Sequence, residues 1–361
     1  MPSSLPNAAP RVAPRVAIVG ATGAVGVELL RCLAERDFPL ASLKLLASSR
    51  SAGREVVFRG QTLTVEALGD DSFQDVDLAL FSAGSGLSKV YGPKAVAAGA
   101  VVVDNSSAFR MDPDCPLVVP EVNAETLADH HGIVANPNCV AIIAAVPVAP
   151  LARAFGLKRL QMATYQAASG AGAAAMEELR ASTQAWIEGR PFAPQVLPHP
   201  YAFNLFSHNA EVDAESGYNG EELKVIEECR RILAAPELPI GVTCIRVPVL
   251  RAHAIAITLE FECVVSPEEV REVLATAPGI QVVDDRARNH FPMPSEAEGQ
   301  GDVLVGRVRR DLGDLSGRSI ALFVAGDQLL KGAALNAVQI AERLFPAAKA
   351  QSRSSDLVTA S

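Results

Sequence analysis

The chain has 361 residues, 49% hydrophobic and 20% charged, with 32 Lys and Arg against 41 Asp and Glu for a formal charge of −9. That suits about two domains of roughly 150 residues each and is too apolar for a disordered chain. The acidic balance argues against a partner in nucleic acid or a membrane surface, and no run of about 18 apolar residues marks a transmembrane helix. The proline-spaced start (Pro2, Pro6, Pro10, Pro14) lacks a signal-peptide core and reads as a flexible lead-in. Six cysteines without a CxxC suggest reduced thiols in a cytoplasm, and six histidines without HxxxH or HExxH spacing suggest no metal.

Arg15–Gly20 is a short β-branched run, followed by a helix with Leu29, Leu30 and Leu33 at helical spacing. Between them lies Gly20-Ala21-Thr22-Gly23-Ala24-Val25-Gly26. Glycines there permit a tight turn and close approach to a pyrophosphate, which the helix N-terminus attracts with free N–H groups. The second strand, Leu43–Ala47, ends in Ser48-Ser49-Arg50-Ser51. An NAD site wants an acid at this place for the ribose 2′-hydroxyl; hydroxyls and Arg50 suit a 2′-phosphate, hence NADP. Strands at Leu63–Glu66, Leu78–Phe81 and Val101–Asp104, with a helical Lys89–Gly99 between the last two, imply a doubly wound parallel sheet.

After about residue 139 the texture changes. Asn136-Pro137-Asn138-Cys139 leads into the apolar helix Val140–Phe155, so Cys139 falls at a helix N-terminus, a place that lowers a thiol pKa. It is a candidate nucleophile or, like most lone cysteines, a packing residue. Cys32 and Cys229 read as helical, Cys115 as a loop residue, and Cys244 and Cys263 as strand residues. Next come a strand (Leu160–Gln166), a Gly/Ala turn, a helix (Ala173–Ile187), a proline-rich irregular passage and a charged helix (Glu221–Leu233). Strand Val242–Val249 contains Arg246, and Arg251 and His253 lie between it and strand Ala254–Val265. An unbroken strand would turn Arg246 and His253 to opposite faces, whereas a bend at Pro248 lets both enter one cavity. There an arginine could grip a carboxylate and a histidine shuttle a proton; a surface arginine and a half-buried histidine are the alternative. Strands Val303–Arg309 and Ser319–Ala325 precede an amphipathic helix, Lys331–Phe345, which fold analogy returns to the first domain, and a polar, frayed tail beyond Ala347.

GATGAVG, ASSRSAG, NSSAFRMD, NPNC, TYQAASGAG, EELK, RVPVLRAH and DQLLKGAALNAVQIAE stand in the order found in the aspartate-β-semialdehyde dehydrogenase family, which the chain resembles over nearly its whole length. The resemblance implies an α/β fold: an N-terminal Rossmann-type NADP-binding domain at 14–138, completed by a C-terminal helix at 330–347, and an α+β catalytic and dimerisation domain at 139–329. It implies a cytoplasmic homodimer or homotetramer that reductively dephosphorylates β-aspartyl phosphate to aspartate semialdehyde and phosphate, with NADPH and without a metal. The product serves lysine (through diaminopimelate), methionine, threonine and isoleucine biosynthesis. By the same resemblance Cys139 is the nucleophile and His253 the general acid/base, while Gln166 orients the acyl group. Arg246 binds the substrate carboxylate, Glu221 its amino group, and Arg110 with Lys224 its phosphate. Gly20, Thr22, Gly23, Ala24, Val25, Gly26, Arg50, Ser51, Ser82, Ser169, Gly170 and Gln328 match cofactor contacts. Backbone N–H groups at the start of the Cys139 helix are expected to hold the developing oxyanion.

Overall fold

The computed structural model describes residues 13–346; the prolines of the lead-in before residue 13 and the tail from Ala347 onward lie outside the described residues. The first sheet is built from β1 (Arg15–Val19), β2 (Ser42–Ala47), β3 (Glu55–Phe58), β4 (Gln61–Ala67), β5 (Leu78–Phe81), β6 (Val101–Asp104) and β7 (Ile133–Ala135), in the order β3-β4-β2-β1-β5-β6-β7. All neighbours are parallel except the β3–β4 hairpin. Runs such as RVAIV and LALF are buried almost throughout, as strands covered on both faces must be. The order reverses at β1, with β2 on one side and β5 on the other. The crevice beyond the C-terminal ends of β1 and β5 is therefore the topological switch point. The hairpin strand β3 escaped the periodicity reading, because its two-residue turn is Arg59-Gly60, both at positive φ, instead of a familiar Asn-Gly.

The second sheet holds β8 (Leu157–Gln166), β9 (Phe206–Ser207), β10 (Ile240–Arg246), β11 (His253–Phe261), β12 (Ile280–Val282), β13 (Val303–Arg310) and β14 (Ser319–Gly326), in the order β12-β13-β14-β11-β8-β10-β9. Against it lies the Cys139–Phe155 helix, whose residues from Val140 to Leu151 pack with Met162, Val242, Ile255 and Leu322 in one core. Helices on its other side explain why it is apolar all round.

Three expectations need correction. The strand expected over Val242–Val249 stops at Arg246, and the chain crosses β8 before β11 begins at His253. Because β11 ends at Phe261, Cys263 is not a strand residue but an exposed one. The last helix opens with a π-helical turn, Leu330–Ala334, and continues as Leu335–Leu344 against the Ala24–Glu35 helix. It is buried on most sides, Lys331 and Asn336 included. Among the described residues no helix is long and apolar enough to cross a membrane.

Candidate active site

At the switch point, Gly20 has φ +89°, and a Cβ there would run into the Ser82 carbonyl; a Cβ at Gly26 would run into the Gly20 carbonyl. Only glycine fits at both places. Gly23 begins the Ala24–Glu35 helix without a side-chain cap, so its first N–H groups are left for an anion. Thr22 Oγ1 lies 3.4 Å from Ser51 Oγ, and Arg50 is exposed where β2 ends. This cradle fits a dinucleotide's phosphates.

A cleft between the two sheets brings Val25 and Ser82 of that crevice to Arg110, Cys139, Gln166, Ser169, Gly170, Glu221, Arg246 and Gln328. The remaining glycine-loop residues, Arg50 and Ser51 lie outside its walls, as do Lys224 and the fully buried His253. Gln328 donates to Ser169 Oγ, tying two of the expected cofactor contacts together.

Cys139 is the first residue of its helix and is half-buried. Asn138 caps that helix: its Oδ1 accepts from the Val140 N–H at 2.8 Å and the Ala141 N–H at 3.4 Å. Two of the N–H groups expected to hold an oxyanion, those of Val140 and Ala141, are therefore taken up by the cap. The thiol also departs from expectation. Burial pushes it up to about 12 and the Glu221 carboxylate adds to the rise, while Arg110, Arg246 and the Val140 N–H oppose it without prevailing. Helix N-terminal stabilisation is real but loses to desolvation.

Glu221 accepts from Asn138 Nδ2 at 2.9 Å and from Gln166 Nε2 at 3.2 Å, so one carboxylate oxygen joins the cap of the cysteine helix to the end of β8. Arg246, last in β10, pairs in register with Gln166, and His253 opens β11 one residue before the Ala254–Tyr165 pair. The bend inferred from Pro248 thus brings both side chains to the end of β8. The backbone of Ala167 serves both: its N–H donates to His253 Nδ1 at 3.0 Å, and its carbonyl accepts from Arg246 Nη1 at 3.3 Å.

That donor fixes the His253 tautomer, leaving the proton on Nε2, which is buried without a protein partner. Burial, then Arg246 and His208, hold this imidazole neutral, down at about 3. It sits behind Gly170, where a Cβ would come within 3.0 Å of His253 Nε2 and 3.1 Å of Arg246 Nη1. The other partners of Arg246 are neutral as well: Asn209 Oδ1 at 3.3 Å and His208 Nε2 at 2.7 Å. His208 Nδ1 also faces a donor, the Ala210 N–H at 3.2 Å. A neutral ring accepts at only one nitrogen, so one of these two contacts carries no hydrogen bond.

The expected phosphate pair is split in this structure. Arg110 is buried, donating to the Asn136 carbonyl (3.0 Å), Glu228 Oε1 (3.1 Å) and the Asn105 carbonyl (2.8 Å). Lys224 is exposed, though its charge reaches Glu221 and His208. Reading residue by residue missed Glu228, which also accepts from the Asn138 N–H. The signal was present: Glu221 and Glu228 stand two helical turns apart, on one face. Gly332 was missed too, since a glycine inside an amphipathic pattern looks incidental. A Cβ at Gly332 would lie 2.9 Å from Cys139 Cβ and 3.3 Å from its Cα. Gly332→Ala is therefore expected to displace Cys139 and lower kcat by roughly 10- to 100-fold, with nucleotide affinity unchanged. Steady-state kinetics beside a nucleotide titration check this, and an unaltered kcat would show that the contact relaxes freely.

Two family models match the chain: the semialdehyde dehydrogenase NAD binding domain at residues 15–130 and the semialdehyde dehydrogenase dimerisation domain at residues 148–331. Among curated relatives, the aspartate-semialdehyde dehydrogenase of Synechocystis sp. is 52% identical, the match covering 91% of this chain and 96% of that one. The enzyme of the same name from Bacillus subtilis is 44% identical, over 91% and 96%. A crystal structure of aspartate semialdehyde dehydrogenase II from Vibrio cholerae, complexed with ASA, is 41% identical with a TM-score of 0.89, covering 92% of this chain and 98% of that one.

Proposed function

Because the chain belongs to the aspartate-semialdehyde dehydrogenase family of oxidoreductases, we propose that it reductively dephosphorylates β-aspartyl phosphate to aspartate semialdehyde, with NADPH, through an acyl-thioester on Cys139. The observation that carries this reading is the cleft itself: Cys139, Gln166, Glu221 and Arg246 wall one cavity that opens on the glycine crevice of the first sheet.

The substrate supplies two charges that the resting site lacks. Its ammonium at Glu221 cancels the carboxylate that helps to raise the thiol. Its carboxylate at Arg246 cancels the cation that helps to depress His253. The first change makes sulfur a better nucleophile and the second makes the imidazole a better proton holder, so the site is activated by what it binds. Cys139 Sγ then bonds to the acyl carbon as the carbon–oxygen bond to phosphate breaks, the thiol proton passing to the phosphate, which leaves toward Arg110 and Lys224. Bound NADPH supplies the hydride that reduces the thioester carbon. Gln166 orients the acyl group; the oxygen left negative by reduction re-forms a carbonyl as the sulfur–carbon bond opens, and the proton that His253 holds goes to the departing sulfur, restoring the thiol. A cytoplasmic homodimer or homotetramer serving lysine, methionine, threonine and isoleucine biosynthesis completes the proposal, with the matched dimerisation domain as support for association.

The reverse assay tests this reading: NADPH absorbance from aspartate semialdehyde and NADP, with and without phosphate. A rate that needs phosphate is expected; a phosphate-independent rate, or one that needs CoA, overturns the reaction. Cofactor choice is tested at Arg50. Arg50→Ala should weaken NADP relative to NAD by roughly 1.5–3 kcal/mol, the usual worth of a hydrogen bond to a charged group. Equal losses for both nucleotides would show that Arg50 does not meet a 2′-phosphate.

A further inference from the structure

The chemistry above leaves Arg251 without a task, yet this residue is among the best-held charges of the chain. Its Nε donates to Asp327 Oδ2 at 2.7 Å and its Nη1 to Glu28 Oε1 at 2.6 Å. Asp327 is fully buried, and Glu28 is 7% exposed. Three distant segments meet at this point. Glu28 belongs to the helix that starts at the glycine cradle. Asp327 Oδ1 accepts from the N–H groups of Leu329 (2.9 Å) and Leu330 (3.2 Å), where the turn carrying Gly332 begins. Arg251 stands two residues before His253, and between them Ala252 has φ +70°. That left-handed conformation is unfavourable for a residue with a Cβ, so something nearby must hold it. Its N–H donates to Gln328 Oε1 at 2.8 Å, next to Asp327 in sequence.

We propose that Arg251 is a positioning residue: with Glu28 and Asp327 it forms a buried ion network that holds Ala252 left-handed and so sets the place of His253 relative to the nucleotide-binding helix. The proposal rests on the reading of His253 as the acid–base residue. The geometry requires arginine in particular. Its fork meets two carboxylates from two parts of the fold at once in fixed directions, whereas an ammonium on a flexible stem fixes neither direction, and Glu28 would lean on its longer 3.6 Å pair with Arg31.

Arg251→Lys and Glu28→Gln in the full-length chain test it. For Arg251→Lys, kcat for aspartate semialdehyde oxidation is expected to fall about 10-fold or more, with KM for the semialdehyde within about twofold and the pH dependence of kcat displaced. Because both substitutions act on one network, the double variant should lose no more kcat than Arg251→Lys alone. Hydrogen exchange in the peptide spanning residues 247–256 should quicken at least about fivefold in both single variants, with the Cys139–Phe155 helix unchanged. A lowered melting temperature with kcat and its pH profile intact would reduce the network to a structural brace, and multiplying losses in the double variant would make the two residues independent; either overturns the proposal. Should the wild type fail to oxidise aspartate semialdehyde, the proposed activity falls, and exchange alone decides the network: unchanged exchange in both variants overturns it.

Discussion

Cys139→Ser is expected to cut turnover by about 10³-fold or more while nucleotide affinity stays within about twofold. The hydroxyl keeps the size of the side chain at the helix start, so the capping by Asn138 and the packing on Gly332 survive, but it is a far weaker nucleophile. Chemical labelling needs care here. Burial raises Cys32 to about 12, Cys115 to about 11 and Cys244 to about 12, and Cys229 is raised as well. Cys263 is the exposed thiol, so iodoacetamide should mark it first. In a Cys263→Ser background, Cys139 of the substrate-free protein should react slowly at pH 7 and faster as pH rises well above neutrality, because its thiol stands near 12. Rapid labelling of Cys139 at pH 7 would mean that the thiolate is already formed and that substrate charges are not needed to make it.

His253→Asn should lower kcat by roughly 10²–10⁴-fold, the usual range for loss of a positioned acid or base, with a modest change in KM. The pH behaviour is the sharper test. Histidine changes charge at its pKa, and in the free protein burial and Arg246 have pushed that value down to about 3. The profile of kcat/KM, which reports the free enzyme, should therefore show no histidine limb between pH 5 and 8. A substrate carboxylate on Arg246 removes part of that downward push. The profile of kcat, which reports the bound complex, should show the limb at higher pH. His253→Asn should erase it. A limb at the same pH in both profiles, or one that persists in the variant, would assign the proton transfer to another group.

Features carried by neighbours in the chain were legible. The glycine cradle follows from backbone space at Gly20 and Gly26, the place of Cys139 from Pro137 and the apolar helix behind it, and the meeting of Arg246 with His253 from the break at Pro248. Features decided by distant segments were not. The thiol's rise depends on Glu221 from another helix and on burial beneath the cleft, neither visible around NPNC. Arg110 reads as a free cation until Glu228 reaches it across the fold. Lys224 shares a short motif with Glu221, but the helix turns the first outward and the second inward. The π-helical turn that sets Gly332 against Cys139 carries no mark in an amphipathic pattern, because its cause lies in what packs on it.

Ala167, whose carbonyl takes a bond from Arg246 and whose N–H gives one to His253, also bears on how the site could change over evolutionary time. On the roles proposed for Arg246 and His253, moving the arginine to suit a longer or shorter substrate would pull on the same residue that orients the imidazole, so altering what is recognised would degrade how it is transformed. The opposite flank of Arg246 makes no contact with His253's ring donor and is held by the two-residue β9 and the His208 N–H on the Cys244 carbonyl. His208 and Asn209 come from the irregular passage before the Gly220–Ile232 helix, and His208 cannot satisfy both donors that face it. Drift in substrate range would accumulate there first, in the loop, while the strand ends that hold the reacting groups stay put.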